Sequence, residues 1–209
     1  MATLTPAELS QRLQGLNIYL VGMMGAGKSA VGRPLAEALG YRFVDADQVL
    51  EEAAGCTIPE IFLQDGESGF RQLETAVLGQ ICSWHSLVVA TGGGVVKRPE
   101  NWGHMRQGLV VWLDAPTDVL LNRLQQDLTP RPLLQTDDPP ARLQKLLAER
   151  LPFYAQADLT VRQTREASPD DVARQILADC PGILQERPQR PQHPVQLQTE
   201  DGEISPTLN

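Results

Sequence analysis

Cysteine and histidine are scarce in this 209-residue chain: three of each, with the thiols at Cys56, Cys82 and Cys180 and the imidazoles at His85, His104 and His193. No CxxC pair exists, the cysteine count is odd and the spacings are wide, which argues against a disulfide framework and a zinc site and for reduced thiols in a cytoplasmic protein. No apolar run approaches the roughly 20 residues of a membrane helix. The opening "MATLTPAELSQRLQGL" lacks the basic start and apolar stretch of a secretory signal, and it is not rich in Arg and Ser as a transit peptide is. Positive charge is also short: 18 Lys and Arg face 26 Asp and Glu, a net charge of −8. An acidic surface repels phosphate backbones and so disfavours nucleic acid as a partner, yet it leaves room for a local basic pocket that takes a small anion.

What is present suits one α/β domain with tails. Hydrophobic residues make up 42%, enough for a core. Residues 1–15 read as a short polar helix or arm. Apolar, β-rich runs at 16–22, 41–47, 86–94, 108–116 and 158–161 read as strands. Helical spacing marks 28–40, 57–66, 69–84, 117–126, 141–157 and 168–180 as helices. Thr57 and Glu60 stand in capping-box spacing, Ser168 precedes Pro169 as an N-cap, and Pro152 bends or ends its helix. Strands alternating with helices imply a parallel sheet of about five strands, covered on both faces as three layers. The domain is expected over 16–180. The Pro- and Gln-rich stretch 181–209 is expected as a disordered tail.

"GMMGAGKS" at 22–29 fits G-x-x-x-x-G-K-[ST], with a strand before it and a helix after it. Glycine keeps side chains out of the way, so backbone N–H groups and the positive end of the helix can face phosphate oxygens. Gly25, Ala26, Gly27, Lys28, Ser29 and Ala30 are the expected triphosphate contacts. Lys28 reaches the β- and γ-phosphates, and Ser29 places its hydroxyl on Mg²⁺.

The acceptor side is less directly written. "DAD" sets Asp45 and Asp47 two apart at a strand end, hence on one strand face. One could serve Mg²⁺ and the other a substrate hydroxyl; alternatively Asp47 is a helix N-cap beside a solvated acid. Arg71 has Glu74 at i+3 in "FRQLE", and Arg150 lies in "ERLPFY". Each reads either as an anion clamp or as an ordinary surface ion pair. Gly92, Gly93 and Gly94 end a strand where a ligand could touch backbone. Arg131 lies in a polar, Pro-rich stretch that could close over phosphates, unless it serves solubility.

In combination these motifs resemble the shikimate kinase family: GxxGxGKS, FxDxD as "FVDAD", FRxxE as "FRQLE", the GGG strand end, the RPLL lid and RxxxY as "RLPFY". The resemblance spans about residues 16–178. It implies a P-loop, nucleoside-monophosphate-kinase-like α/β fold that transfers the ATP γ-phosphate to the 3-hydroxyl of shikimate. The products are ADP and shikimate 3-phosphate, a step toward chorismate and the aromatic amino acids. By that resemblance Asp47 anchors the ring hydroxyls and is the candidate base, and Asp45 supports Mg²⁺ through water. Arg71, Arg150 and the backbone at Gly93 hold the acceptor carboxylate. Arg131 is the lid arginine, and Arg123 stacks on adenine. Substrate-binding helices fall at about 46–84 and the lid at about 123–138, in a cytoplasmic monomer. The lid "LQQDLTPRPLL" departs from Gly-rich relatives by having no glycine. Two other readings are a kinase of another hydroxylated acid, such as gluconate, and a nucleotide-binding module without activity.

Overall fold

In the first strand every residue of "IYLV" is buried, so both faces of β1 (Ile18–Val21) must be covered. Alternation splits them: Ile18 and Leu20 face one apolar cluster, Tyr19 and Val21 the other. The computed structural model describes residues 4–127 and 131–186. Around β1 it places β2 (Arg42–Asp45), β3 (Leu87–Ala90), β4 (Leu109–Asp114) and β5 (Leu159–Arg162). The sheet is wholly parallel with order β2-β3-β1-β4-β5. Helices cover both faces, which gives the three-layer α/β architecture expected.

On one face pack α1 (Pro6–Leu13), α2 (Lys28–Leu39) and α8 (Pro169–Glu186). The leading segment is thus a helix on the core: Thr5 and Glu8 form a capping box, and Leu9 and Leu13 are buried. The opposite cluster takes in α3 (Ala46–Ala54), α4 (Ile58–Ile81) and α5 (Pro99–Met105). Helices α6 (Thr117–Gln126) and α7 (Pro139–Tyr154) complete the fold.

Two differences from the sequence reading have physical causes, and one division of it holds. The second strand ends at Asp45, because Asp45 caps a helix that begins at once. The runs 57–66 and 69–84 are two helical segments as read, meeting within the span of α4 at a kink at Gly66 (φ 66°, ψ −174°). Finally, α8 passes through Pro181 to Glu186, since Ile183 and Leu184 find apolar partners on the core and offset the lost N–H. Residues 187–209 of the expected tail, 128–130 of the expected lid and 1–3 of the expected arm lie outside the described residues.

Candidate active site

The loops leaving the carboxyl ends of β1 and β3 converge on one groove, the usual ligand position in an open parallel sheet. After β1 comes the glycine loop. Gly27 adopts φ 83° as N-cap of α2, a conformation that a side chain would strain. Gly25, Gly27, Lys28, Ser29 and Ala30 line a cavity of about 480 Å³. Ala26 does not line it: its methyl is fully buried, and its carbonyl accepts a 2.8 Å hydrogen bond from Gln163 Nε2. Lys28 Nζ donates to the carbonyls of Gly22 (3.0 Å) and Met23 (3.1 Å). Enclosure by the loop lowers its pKa to about 8, against the pull of Asp47.

Ser29 Oγ donates to Asp45 Oδ2 at 2.6 Å. These oxygens lie beside the phosphate-binding loop, the arrangement Mg²⁺ prefers: one or two protein oxygens completed by water and phosphate. Among the described residues no group of three or more His, Cys, Asp or Glu could hold a metal without such help.

The expectation of a shared strand face for Asp45 and Asp47 is corrected. Asp45 is the N-cap of α3, its Oδ1 accepting from the Asp47 N–H at 3.1 Å, and Asp47 lies in the first helical turn. The cap role suggested for Asp47 belongs to Asp45. The two carboxyls still meet at the cavity. Burial raises the Asp47 pKa, and the charge of Asp45 raises it further; Lys28, Arg131 and Arg71 pull it back.

A second cavity of about 550 Å³ adjoins the first. Asp47, Arg131 and Gly93 line both. Its floor carries Arg71, Glu74 and Arg150, its wall Phe62, Phe70 and Leu133. Neither arginine is a surface ion-pair residue: Arg71 is 8% exposed and Arg150 only 1%. Arg71 Nη1 donates to both oxygens of Glu74, at 3.0 and 2.9 Å, and Nη2 reaches Glu67 Oε1 at 3.2 Å. Burial raises the pKa of Glu74, and Arg71 opposes the rise. Arg150 is starker. Its Nη1 reaches Met23 Sδ at 3.6 Å, it interacts with the Tyr154 hydroxyl and with the Glu74 carboxylate, and among the described residues its Nε and Nη2 have no hydrogen-bond partner. A buried cation with free donors is costly unless an anion arrives.

The three glycines after β3 have their reason in these side chains. A Cβ on Gly92 would come within 2.6 Å of Glu74 Oε1, and one on Gly94 would overlap the Arg71 guanidinium. Gly93 offers its carbonyl to the Tyr154 hydroxyl at 2.5 Å, and burial holds that hydroxyl's pKa up at about 12, so it stays a donor.

Arg131 pairs with Asp127 (2.8 Å) while facing both cavities. Arg123, in the last turn of α6, lines the glycine-loop cavity and donates to Gly25 O (3.3 Å) and Gln163 Oε1 (3.1 Å). Sequence reasoning missed Glu67 and Gln163. The i−4 spacing of Glu67 from Arg71 was a usable signal; for Gln163 there was only its place just past a strand at the carboxyl edge.

A glycine loop of phosphate-binding form, opening onto a chamber lined with buried arginines, defines a P-loop kinase for a small anionic acceptor. A family model described as shikimate kinase matches residues 24–181. The chain is 60% identical over 176 residues to the shikimate kinase of Synechococcus sp. strain RCC307, covering 84% of this chain and 90% of that one. It is 59% identical over 190 residues to that of Synechococcus sp. strain CC9605, covering 91% and 94%. Among solved structures, shikimate kinase from Acinetobacter baumannii in complex with shikimate superposes with TM-score 0.78 at 43% identity, over 83% of this chain and 97% of that one. A gluconokinase from Sinorhizobium meliloti 1021, at 21% identity and TM-score 0.53 over 82% of this chain and 94% of that one, shares the fold alone. The chain belongs to the shikimate kinase family.

Proposed function

We infer that this protein transfers the γ-phosphoryl group of ATP to the 3-hydroxyl of shikimate, releasing ADP and shikimate 3-phosphate on the route to chorismate. The observation that carries the reading is the shared wall: Asp47 and Arg131 border the glycine-loop cavity and the arginine chamber alike. A group held in one can therefore be passed to a group held in the other. The chamber suits a carboxylated, hydroxylated ring. Arg150, with its unpartnered donors, and Arg71 hold the carboxylate; Phe62, Phe70 and Leu133 cover the ring. Asp47, at the boundary, anchors the ring hydroxyls.

Phosphoryl transfer asks the protein mainly for alignment and for charge opposite the equatorial oxygens. The glycine-loop N–H groups, Lys28 and Arg131 supply that charge. Asp47, with its elevated pKa, accepts the proton of the attacking hydroxyl as the new P–O bond forms. Ser29 and Asp45 fit Mg²⁺, which when bound neutralises the β- and γ-oxygens. Leu133 and, from α4, Phe62 and Phe70 give the chamber an apolar lining that limits water beside the reacting groups. Arg123 is assigned to the adenine end of the nucleotide. We place the enzyme in the cytoplasm as a monomer; among the described residues no helix is long and apolar enough to cross a membrane.

The test is a coupled ADP-release assay with ATP, Mg²⁺ and separate acceptors: shikimate, quinate, gluconate, nucleoside monophosphates and none. Rapid turnover with shikimate is expected. Turnover with gluconate or a nucleotide but not shikimate would reject the assignment.

A further inference from the structure

Among the described residues, Gln163 is one of the few buried polar side chains outside the arginine chamber. It follows β5 directly, is 5% exposed, and both ends of its amide are engaged. Nε2 donates to the Ala26 carbonyl at 2.8 Å, and Oε1 accepts from Arg123 Nη1 at 3.1 Å. Its own backbone N–H is fixed to the Asp114 carbonyl at 2.8 Å, so the side chain projects from an anchored point. The glycine loop, through Ala26, and Arg123 at the nucleotide cavity are thereby tied to one amide.

The Ala26 contact has a direct geometric consequence. No peptide bond among the described residues is cis. In a trans peptide the carbonyl and the following N–H point in opposite directions. Holding the Ala26 carbonyl toward Gln163 turns the Gly27 N–H away from Gln163, and Gly27 itself lines the cavity. That N–H belongs to the ring of donors a phosphate-binding loop must present together. With φ 83° Gly27 is a residue for which other peptide orientations are accessible, and the hydrogen bond from Gln163 favours one of them. The Arg123 contact works at the far end of the same ligand. Arg123 also donates to Gly25 O, and Gln163 holds the guanidinium between α6 and β5 instead of leaving it to swing as a long side chain does.

We propose that Gln163 is a positioning residue for the nucleotide: one buried amide orients the Ala26–Gly27 peptide toward the phosphates and holds Arg123 in place, so ATP and ADP affinity depend on it while acceptor binding does not. This rests on the kinase reading of the site. Gln163 lines neither cavity and touches no substrate; it acts through the loop and Arg123.

The full chain is compared with its Gln163→Leu and Gln163→Glu variants by calorimetric titration of Mg²⁺–ADP and by steady-state kinetics. Gln163→Leu removes both hydrogen bonds at similar volume. About a tenfold rise in ADP Kd and in KM for ATP is expected, the size of one lost charge-assisted hydrogen bond, with KM for shikimate within twofold of the parent. Gln163→Glu keeps an acceptor for Arg123 but sets an oxygen against the Ala26 carbonyl, so nucleotide affinity should fall there too. This near-isosteric variant carries the test should the leucine variant fail to fold. ADP affinity unchanged in Gln163→Leu, equal losses toward nucleotide and shikimate, or full affinity in Gln163→Glu would each overturn the proposal. The parent enzyme separates this from the activity itself: a parent that binds ADP but phosphorylates no shikimate defeats the kinase assignment and leaves the Gln163 comparison intact.

Discussion

Asp47 is held between opposing influences. Burial and Asp45 favour its neutral form, while Lys28, Arg131 and Arg71 favour the carboxylate. Replacing it by Asn keeps the shape and removes the base. Asp47→Asn is expected to lower kcat by about 100-fold or more, with KM for ATP little changed. Arg71 and Arg150 act on the acceptor instead. Arg71→Ala or Arg150→Ala removes a charge-assisted contact worth roughly 1.5–3 kcal/mol, so KM for shikimate should rise by about 10- to 150-fold; Michaelis curves at saturating ATP measure this. Lys28 supplies a pH signature. Its pKa lies near 8 in the free protein, and an arriving triphosphate stabilises the ammonium and raises it. Nucleotide binding should therefore take up protons just above pH 8 and much less near pH 6.5, as read by titrations in buffers of different ionisation enthalpy. Affinity should weaken as pH climbs through that range.

At the level of the element, α4 shows how far sequence patterns reach. The stretch "DGESG" divided two helical patterns at the right place, because Gly66 occupies φ 66°, ψ −174°, a region open to essentially no other residue. The two helical segments meet there at a kink, as the pattern implied. Space is not the issue at Gly66, since a Cβ there would meet nothing within 4 Å. Gly66→Ala should cost about 1–3 kcal/mol through backbone strain alone, seen as a loss of several degrees in Tm. Gly94→Ala fails differently: its Cβ displaces the Arg71 guanidinium, so shikimate KM should rise more than Tm falls. The Asp45–Asp47 pair was legible as chemistry and misread as geometry. Strand alternation puts i and i+2 on one face, but Asp45 caps a helix and the period changes between the two residues. Helix α5 and the 3-10 turn Val95–Lys97 had no marker strong enough to read, being too short for a period to establish itself.

For the whole molecule, alternation of strands and helices sufficed for a covered parallel sheet but not for the order β2-β3-β1-β4-β5, which depends on pairings distant in sequence. That order sets β1 between β3 and β4, so the glycine loop, the glycine triplet and the segment after β4 meet at one edge. The phosphate end of the site was readable because a contiguous motif encodes it. The acceptor end is assembled from α3, α4, α7 and the β3 loop, and single arginines carry no label saying that they will be buried together. Because the ligands bridge these elements, each should stabilise the fold by mass action. At 100 times its Kd, shikimate or ATP adds about 2.7 kcal/mol, a rise of roughly 5–11 °C in Tm, and Asp47→Asn should retain the ATP-induced part.

The glycine triplet has a consequence for how this enzyme can change. Positions 92 and 94 are filled, in effect, by Glu74, Asp47 and Arg71 reaching in from α3 and α4. No mutation there can install a new recognition group without evicting an old one. Altered acceptor preference would have to arise across the chamber, at Ile58, Phe62 or Leu133, where the lining is made of replaceable hydrocarbon.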